Sequence, residues 1–404
     1  MNPQDIDQIE TWLVAAGLAG KPEIKLLEGF CERCRAAGLA LSRSIAVIDT
    51  LHPIYEGRGF RWRDDGQEEK PIIEYGPTNE GPAAETWQRS PFNHLLTVGA
   101  NEIRRRIGHG DPIDFSMLDE LKAEGHTDYV ALVHRLDRDH QIGGMDCVYS
   151  SWVTRRPDGF TDGDLAALRR LVPALALAIK SASLARIAGT LVEVYLGRDA
   201  GQRVLRGRIS RGVADWINAV LWYSDLHNYT SIADSAEPDQ IIPFLNDYAD
   251  LVISAVHEAG GDVLKLIGDG TLAIFNASDP AEACRSALRA EAILRGKIAE
   301  LNRRRTAENR PVTSVYLGLH IGDVFYGNIG SENRLDFTVV GPAVNEVSRI
   351  ASMCRSADRS MLVSAAFTAA APESDRAKLV CVGRYALRGV GRADELFTLD
   401  PALL

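Results

Sequence analysis

Two aspartates in the second half of the chain could form a metal site. Asp225 ends an apolar and aromatic run that predicts a buried strand, and Asp269 lies in the turn Gly268-Asp269-Gly270 between two β-rich runs. Because consecutive strands usually lie side by side, we expect the two carboxylates to meet at one sheet edge. Carboxylate oxygens suit hard cations such as Mg²⁺ or Mn²⁺. The pair therefore predicts a two-metal site suited to phosphoryl chemistry.

A second polar pair lies on a predicted helix further along the chain. Asn345 and Arg349 are four residues apart, which makes them neighbours on one face of the helix. The buried side of the same helix is supplied by Ala343, Val344, Val347 and Ile350. The two polar side chains therefore point together at one site.

The scaffold for these residues is predicted from the periodicity of residues 215–404. The predicted elements are a strand at 217–223, a helix at 239–258, a strand hairpin at 263–275, a helix at 280–303, strands at 314–321, 324–329 and 336–340, a helix at 342–354, and short strands near 360, 380 and 397. Their order begins with the ferredoxin-like unit βαββαβ, so the predicted fold class is α+β. A sheet of this kind has one face without helices, which needs a cover.

Three segments resemble, in order and spacing, the class III nucleotidyl cyclases, which make cyclic AMP or cyclic GMP from nucleoside triphosphates. They are SDLHNYT at 224–230, KLIGDG at 265–270 and DFTVVGPAVNEVSRI at 336–350. The interval of 44 positions from Asp225 to Asp269 is also typical of that family. The resemblance covers roughly residues 215–400, and it implies a cyclase catalytic domain over 215–404.

The resemblance implies a role for each site residue. Asp225, Asp269 and the backbone carbonyl of Leu226 would bind two Mg²⁺ or Mn²⁺ ions, one activating the ribose 3′-hydroxyl and the other holding the triphosphate. The 3′-oxygen would attack the α-phosphorus in line, and pyrophosphate would leave. Asn345 would orient the ribose, and Arg349 would stabilise charge on the α-phosphate. Asp225 or a water molecule would first accept the proton.

Base selection and the terminal phosphates depend on further residues that match the family. Lys265 and Thr338 imply ATP as the substrate, because cyclases for GTP typically carry glutamate and a smaller residue such as cysteine there. Arg388 matches a basic residue that binds the terminal phosphates. Two positions depart from the family: Tyr316 stands where some members have a phosphate-binding arginine, and Asn228 replaces the usual glycine. The predicted function is adenylate cyclase, with a guanylate cyclase or a catalytically silent signalling scaffold as alternatives.

The resemblance also implies a homodimer. In cyclases two helix-free sheet faces meet, and the two active sites form at their interface. One chain would supply Asp225 and Asp269, and its partner would supply Lys265, Thr338, Asn345 and Arg349.

The first half of the chain predicts a regulatory unit. Strands are followed by a long amphipathic helix that Thr161 or Asp162 can cap, and the run PDGFTDGDLAALRRLVPALALAI at 157–179 is similar to the closing passage of GAF domains. We interpret 1–183 as a GAF-like α/β sensor domain for an unidentified small molecule, with a PAS-like module as the alternative. Residues 184–214 form the predicted linker, helical to about Tyr195 and then broken by glycines.

Other metal and nucleotide motifs in the sequence are weaker. Cys31 and Cys34 form a Cys-x-x-Cys without a second pair, which favours helix packing over a zinc site. His126, His134 and His140 lack the spacing of a metal or haem site. GGDVLK at 260–265 lacks the glutamate of diguanylate cyclases, and GLAGKPE lacks the spacing of a P-loop.

Composition restricts the partners and the compartment. A formal net charge of −10 gives no electrostatic reason to bind nucleic acid or an anionic membrane. No apolar run approaches the roughly 20 residues of a membrane span, and Asp5, Asp7 and Glu10 stand where a signal peptide would be basic. Six cysteines fit free thiols in a reducing compartment. We therefore expect a cytoplasmic protein without a membrane span.

Overall fold

The chain forms two compact units, Met1–Leu191 and Val192–Leu404. The computed structural model describes residues 1–66, 68, 70–136, 139, 142–276, 279–387 and 393–403. The boundary between the units lies inside the predicted linker 184–214.

The first unit is built on a six-stranded antiparallel sheet. Its strands are β1 (Arg43–Asp49), β2 (Gly57–Arg63), β3 (Ile72–Tyr75), β4 (Glu102–Arg105), β5 (Asp128–Arg135) and β6 (Cys147–Thr154). Their order in the sheet is β3-β2-β1-β6-β5-β4. β6 is buried along its whole length, because helices cover both faces of the sheet.

The helices of this unit divide between the two faces. They are α1 (Pro3–Leu18), α2 (Glu23–Ala36), α3 (Gly81–Gln88), α4 (Pro91–Val98), α5 (Ser116–Ala123) and α6 (Asp162–Leu196), with a short 3₁₀ turn at Ile107–His109. α1, α2 and α6 pack on one face and α3 to α5 on the other. The predicted cap of α6 is Thr161: its Oγ1 accepts the Asp164 N–H at 3.2 Å, and the Asp164 carboxylate accepts the Thr161 N–H at 2.9 Å.

The sequence predicts no apolar run as long as a membrane span, but helix α6 is one candidate for such a span. By length and composition alone this 35-residue helix could cross a membrane, and 44% of its most apolar 18-residue window is buried inside the protein. Its buried side chains, among them Leu168, Leu171 and Ile179, belong to the hydrophobic core that α6 forms with α1, α2 and the sheet. Such packing is typical of a core helix in a globular unit.

Cys31, Cys34 and His126 are buried inside this unit. Cys31 and Cys34 are buried on α2, which confirms the prediction of helix packing, and all six cysteines of the chain are free thiols. His126 is buried, with Nδ1 2.9 Å from Ser42 Oγ and Nε2 3.2 Å from a Glu124 carboxylate oxygen. His140 lies outside the described residues.

The second unit contains an eight-stranded sheet. Its strands are β7 (Ala214–Leu226), β8 (Asp262–Ile267), β9 (Gly270–Phe275), β10 (Val315–Gly330), β11 (Leu335–Val340), β12 (Met361–Ser364), β13 (Leu379–Ala386) and β14 (Ala393–Leu399). Its helices are α7 (Arg198–Leu205), α8 (Tyr229–Ser235), α9 (Pro238–Glu258), α10 (Pro280–Ala307), α11 (Pro342–Ala357), α12 (Ala365–Ala370) and α13 (Glu373–Arg376), with a 3₁₀ turn at Pro401–Leu403. α7 lies in the stretch that its glycines predicted to be a break.

The ferredoxin-like prediction is confirmed for the core of this sheet. The order is β13-β14-β12-β10-β7-β9-β8, and β11 pairs with β10. Within it, β7, α9, β8, β9, α10 and β10 form the βαββαβ unit, whose four strands are antiparallel neighbours in the order β10-β7-β9-β8.

The two faces of the sheet are covered differently. Along β7, Val220 and Trp222 face the core with α9 and α10, while Ala219 and Leu221 face the opposite side. The prediction that this opposite face has no helices is wrong in part, because α7 and α11 of the same chain pack on it. Exposed apolar side chains on this opposite face include Ile267 and Leu335, whereas Trp216, Phe325, Leu266 and Val340 have the strand parity of the face that carries α9 and α10.

The two strands predicted at 314–321 and 324–329 are one continuous strand. β10 pairs with the long strand β7 from Val315↔Leu226 to Gly327↔Ala214, and this ladder keeps the chain extended through the predicted turn. Gly322 lies there because α11 passes close: a Cβ at this position would be 2.8 Å from Ala343 Cβ. Gly318 is equally confined, since its Cβ would be 2.7 Å from Val347 O. The glycines of β10 therefore allow α11 to pack closely against the sheet.

Candidate active site

Strand order brings the two aspartates together, as the sequence predicts. Asp225 is the penultimate residue of β7, and β9 pairs with β7 through Ser224↔Thr271, which places the turn carrying Asp269 beside it. Burial and a side-chain hydrogen bond with Asp269 raise the pKa of Asp225 to about 6. Two carboxylates held this close repel each other when both are ionised. A divalent cation would relieve that repulsion, so the pair fits a metal site.

Further residues join the aspartates around one cavity of about 480 Å³. Its lining includes Asp225, Leu226, Asp269 and Arg349, all from one chain. Arg349 is exposed on α11, and its guanidinium makes no hydrogen bond or ion pair with any residue that the structure describes. The cavity thus combines oxygen ligands for a cation with a free cation for a phosphate group.

Asn345 lies one helical turn before Arg349 and is exposed. It is on the same helix as predicted, but it does not line the cavity with the aspartates. Its backbone carbonyl accepts a hydrogen bond from Ser348 Oγ at 2.9 Å. Within one chain, the structure therefore joins Arg349 to the aspartates and leaves Asn345 apart.

The two residues predicted to select the base lie on β8 and β11. Lys265 forms an ion pair with Asp336, and Thr338 is buried two residues further along β11. Side chains two apart on a strand share a face, so Asp336 links Lys265 to the face that carries Thr338. The sequence analysis did not assign Asp336 a role. Its position two residues before Thr338 is the signal that could have found it.

Two other predicted positions have different outcomes. Arg388 lies outside the described residues. Tyr316 is directly across from Asp225 in the β7–β10 ladder, and its ring packs edge-on against His227 with centroids 4.9 Å apart. An aromatic side chain thus occupies the position beside Asp225 at which the resemblance noted a departure from an arginine.

Arg355 is a cavity residue that the sequence analysis missed. It lies in the last turn of α11, and its Nη2 donates a hydrogen bond to Asn228 Oδ1 at 3.0 Å. Its charge also acts to lower the pKa of Asp225, against the larger effect of burial. The signal in the sequence is a polar stripe at helical spacing, formed by Asn345, Arg349, Ser352 and Arg355.

The carboxylate pair predicts a specific pH dependence of stability without metal. The pKa of Asp225 is raised from 3.8 to about 6 in the folded protein, so its contribution is present at low pH and is lost as the pH rises through about 6. Asp225→Asn removes this loss. At pH 7.5 without metal, the variant should melt about 2–4 °C above the wild type.

The matching metal titration uses the same melting measurement. Mn²⁺ should raise the melting temperature of the wild type and of the control Asp250→Asn, an exposed residue of α9, but not that of Asp225→Asn. Equal stabilisation of all three proteins by Mn²⁺ would exclude Asp225 as a ligand.

Comparison with known proteins gives a family for the second unit. The model of the adenylate and guanylate cyclase catalytic domain matches residues 215–399. The chain is 33% identical over 199 residues to an adenylate cyclase of Anabaena cylindrica, covering 48% of this chain and 37% of that protein. It is 26% identical over 182 residues to adenylate cyclase 1 of Rhizobium meliloti (strain 1021), covering 44% and 27%. The chain thus spans about a third of the length of these relatives.

Two solved structures of adenylyl cyclases also align with the chain. The adenylyl cyclase CyaB of P. aeruginosa aligns with a TM-score of 0.43 and 19% identity, over 46% of this chain and 96% of that one. A bacterial light-regulated adenylyl cyclase aligns with a TM-score of 0.47 and 14% identity, over 89% and 93%.

Proposed function

We propose that this protein is an adenylate cyclase that converts ATP into 3′,5′-cyclic AMP and pyrophosphate, because residues 215–399 match the model of the adenylate and guanylate cyclase catalytic domain. The observation that carries the proposal is the meeting of Asp225 and Asp269 at the end of β7, in a cavity that Arg349 also lines. The same site with GTP as substrate is the alternative, and the base-selecting residues distinguish the two.

The site residues have complementary roles in this reaction. Asp225, Asp269 and the Leu226 carbonyl would hold two Mg²⁺ or Mn²⁺ ions, which supply Lewis-acid activation of the 3′-hydroxyl and charge neutralisation of the triphosphate. Arg349 stabilises negative charge on the α-phosphate, and Asn345 orients the ribose. The 3′-oxygen forms the new bond to the α-phosphorus as the bond to the leaving pyrophosphate oxygen breaks. The 3′-hydroxyl proton passes to Asp225 or to water.

Two chains complete the site in this proposal. Lys265, Thr338 and Asn345 do not line the cavity of the aspartates, so a second copy of the chain would supply them. The exposed apolar residues Ile267 and Leu335, on the sheet face opposite α9 and α10, support a homodimer. Arg349 can act in its own chain's cavity or across the interface, and mixing variants decides between the two.

ATP is the proposed substrate because Lys265 offers donors to adenine N1 and Thr338 can accept from the 6-amino group. The decisive experiment incubates the full chain with ATP or GTP and Mn²⁺ and measures both cyclic nucleotides. Cyclic AMP as the main product supports the proposal. Cyclic GMP as the main product would assign the guanylate alternative, and no product from either nucleotide would favour a silent scaffold.

We further propose that residues 1–183 are a cytoplasmic GAF-like sensor domain that regulates the cyclase through α6. Its six-stranded antiparallel sheet with helices on both faces supports this, and every proposed site residue lies in the second unit. A shortened chain of residues 192–404 should retain turnover and lose any response to an effector. Loss of all turnover in a folded, dimeric 192–404 chain would contradict this division of roles.

A further inference from the structure

Among the described residues, the strand position opposite Asp225 carries no cationic side chain. Tyr316 occupies the strand position opposite Asp225, and its ring packs against His227. Among the described cavity residues, the cationic side chains are Arg349 and Arg355. Arg349 has its proposed role at the α-phosphate, which leaves Arg355 without one.

The guanidinium of Arg355 is available to a ligand. The side chain is exposed, and its only hydrogen bond to a described residue is the one to Asn228 Oδ1 at 3.0 Å. No described carboxylate forms an ion pair with it. Since Asn228 uses one N–H of a group with five, the remaining donors can bind phosphate oxygens as a planar fork.

Asn228 has a backbone conformation and a side-chain contact that suit a role in positioning Arg355. Its backbone is left-handed, with φ of 56° and ψ of 25°, a conformation that glycine and asparagine adopt most readily. The side chain does not cap α8. Instead its oxygen accepts the hydrogen bond from Arg355, and both residues line the cavity. The two departures from the family motifs, Tyr316 and Asn228, therefore lie in the same cavity as Arg355.

We propose that Arg355 binds the pyrophosphate portion of the nucleoside triphosphate, in the same chain as Asp225 and Asp269, and that Asn228 is its positioning residue. The inference rests on the proposed function, because it assigns the triphosphate to this cavity. A guanidinium binds phosphate oxygens in a bidentate way and therefore contributes to the binding of the triphosphate. It takes over the contact that an arginine at position 316 would provide.

The test separates the phosphate end of the nucleotide from its base. Binding of inorganic tripolyphosphate and of adenosine, each with Mg²⁺, is measured for the full-length wild type and Arg355→Ala. Tripolyphosphate should bind about tenfold to a hundredfold more weakly to the variant, since a charge-assisted contact is lost, while adenosine binding stays unchanged. Arg355→Lys should recover part of the affinity, because it restores the charge without the fork.

A matched control and a kinetic readout complete the test. Arg304→Ala removes an exposed arginine from the last turn of α10, outside the cavity, and should leave tripolyphosphate binding unchanged. In turnover, Arg355→Ala should raise KM for ATP more than it lowers kcat. Wild-type affinity for tripolyphosphate in Arg355→Ala would overturn the inference. A wild type that binds tripolyphosphate but makes no cyclic nucleotide would instead overturn the proposed function alone.

The role of Asn228 is tested by Asn228→Gly, which suits the left-handed backbone and removes only the side-chain contact. It should weaken tripolyphosphate binding about threefold to tenfold, in keeping with one hydrogen bond. Combined with Arg355→Ala, it should cause no further weakening, because Asn228 acts through Arg355. Additive losses in the double variant would show that Asn228 does not position Arg355.

Discussion

Asp225→Ala and Arg349→Ala should each lose nearly all cyclase activity as homodimers, and mixing the two should restore up to about half of the wild-type activity per heterodimer. The first change removes a metal ligand, and the second removes charge stabilisation in the transition state, an effect of about a hundredfold to a thousandfold in kcat for a single donor. Suppose that each site takes its aspartates from one chain and Arg349 from the other. In the heterodimer, both substitutions then fall in the same site. The other site is then intact.

Two further mixtures make this experiment decisive. Asp225→Ala mixed with Asp269→Ala should restore nothing, because both residues belong to the same half of the site in either arrangement. Asp225→Ala mixed with Asn345→Ala should restore activity if Asn345 acts from the partner. If that mixture recovers and the one with Arg349→Ala does not, Arg349 acts in its own chain, where the cavity holds it. All mixtures are compared under conditions in which subunits demonstrably exchange.

The second large effect is a change of the preferred base. Lys265→Glu with Thr338→Cys should erode the preference for ATP over GTP by about a hundredfold or more, because a site built to hydrogen-bond one base leaves buried polar groups unpaired with the other. Asp336 modifies the design: it forms an ion pair with Lys265, and a glutamate at position 265 would face it as a like charge. The informative variant therefore also carries Asp336→Asn.

The control for this experiment is Asp336→Asn alone, which frees Lys265 and keeps the adenine-type pair. It should retain the preference for ATP, measured as the ratio of kcat/KM for the two nucleotides. A triple variant with wild-type selectivity would show that Lys265 and Thr338 do not choose the base.

Much of the site follows from local sequence. A buried strand that ends in Asp225, and a glycine-flanked turn that carries Asp269, are short-range patterns, and adjacent strands then have to bring the two carboxylates together. Helical spacing likewise places Asn345 and Arg349 on one face without knowledge of the rest of the fold. The βαββαβ order is predictable for the same reason, since each element has its own hydrophobic period.

The strand predictions fail where packing overrides local composition. Gly322 and its neighbour Asp323 predict a turn, but the ladder with β7 keeps β10 extended, and the glycine instead makes room for Ala343 of α11. Composition cannot distinguish a glycine that allows a turn from one that allows close approach. The prediction of a sheet face without helices fails for a similar reason. Local composition does not show that α7 and α11 pack on the sheet of their own chain.

The sequence by itself determined the residue types of the second unit, the ferredoxin-like order of its core strands and the meeting of Asp225 with Asp269. Only the tertiary structure decided which further charges join them. The contact between Asn228 and Arg355 spans 127 residues, and that between Lys265 and Asp336 spans 71. Periodicity fixes the face on which a side chain lies within its own element, whereas the partner on another element depends on how the two elements pack, which no local pattern encodes.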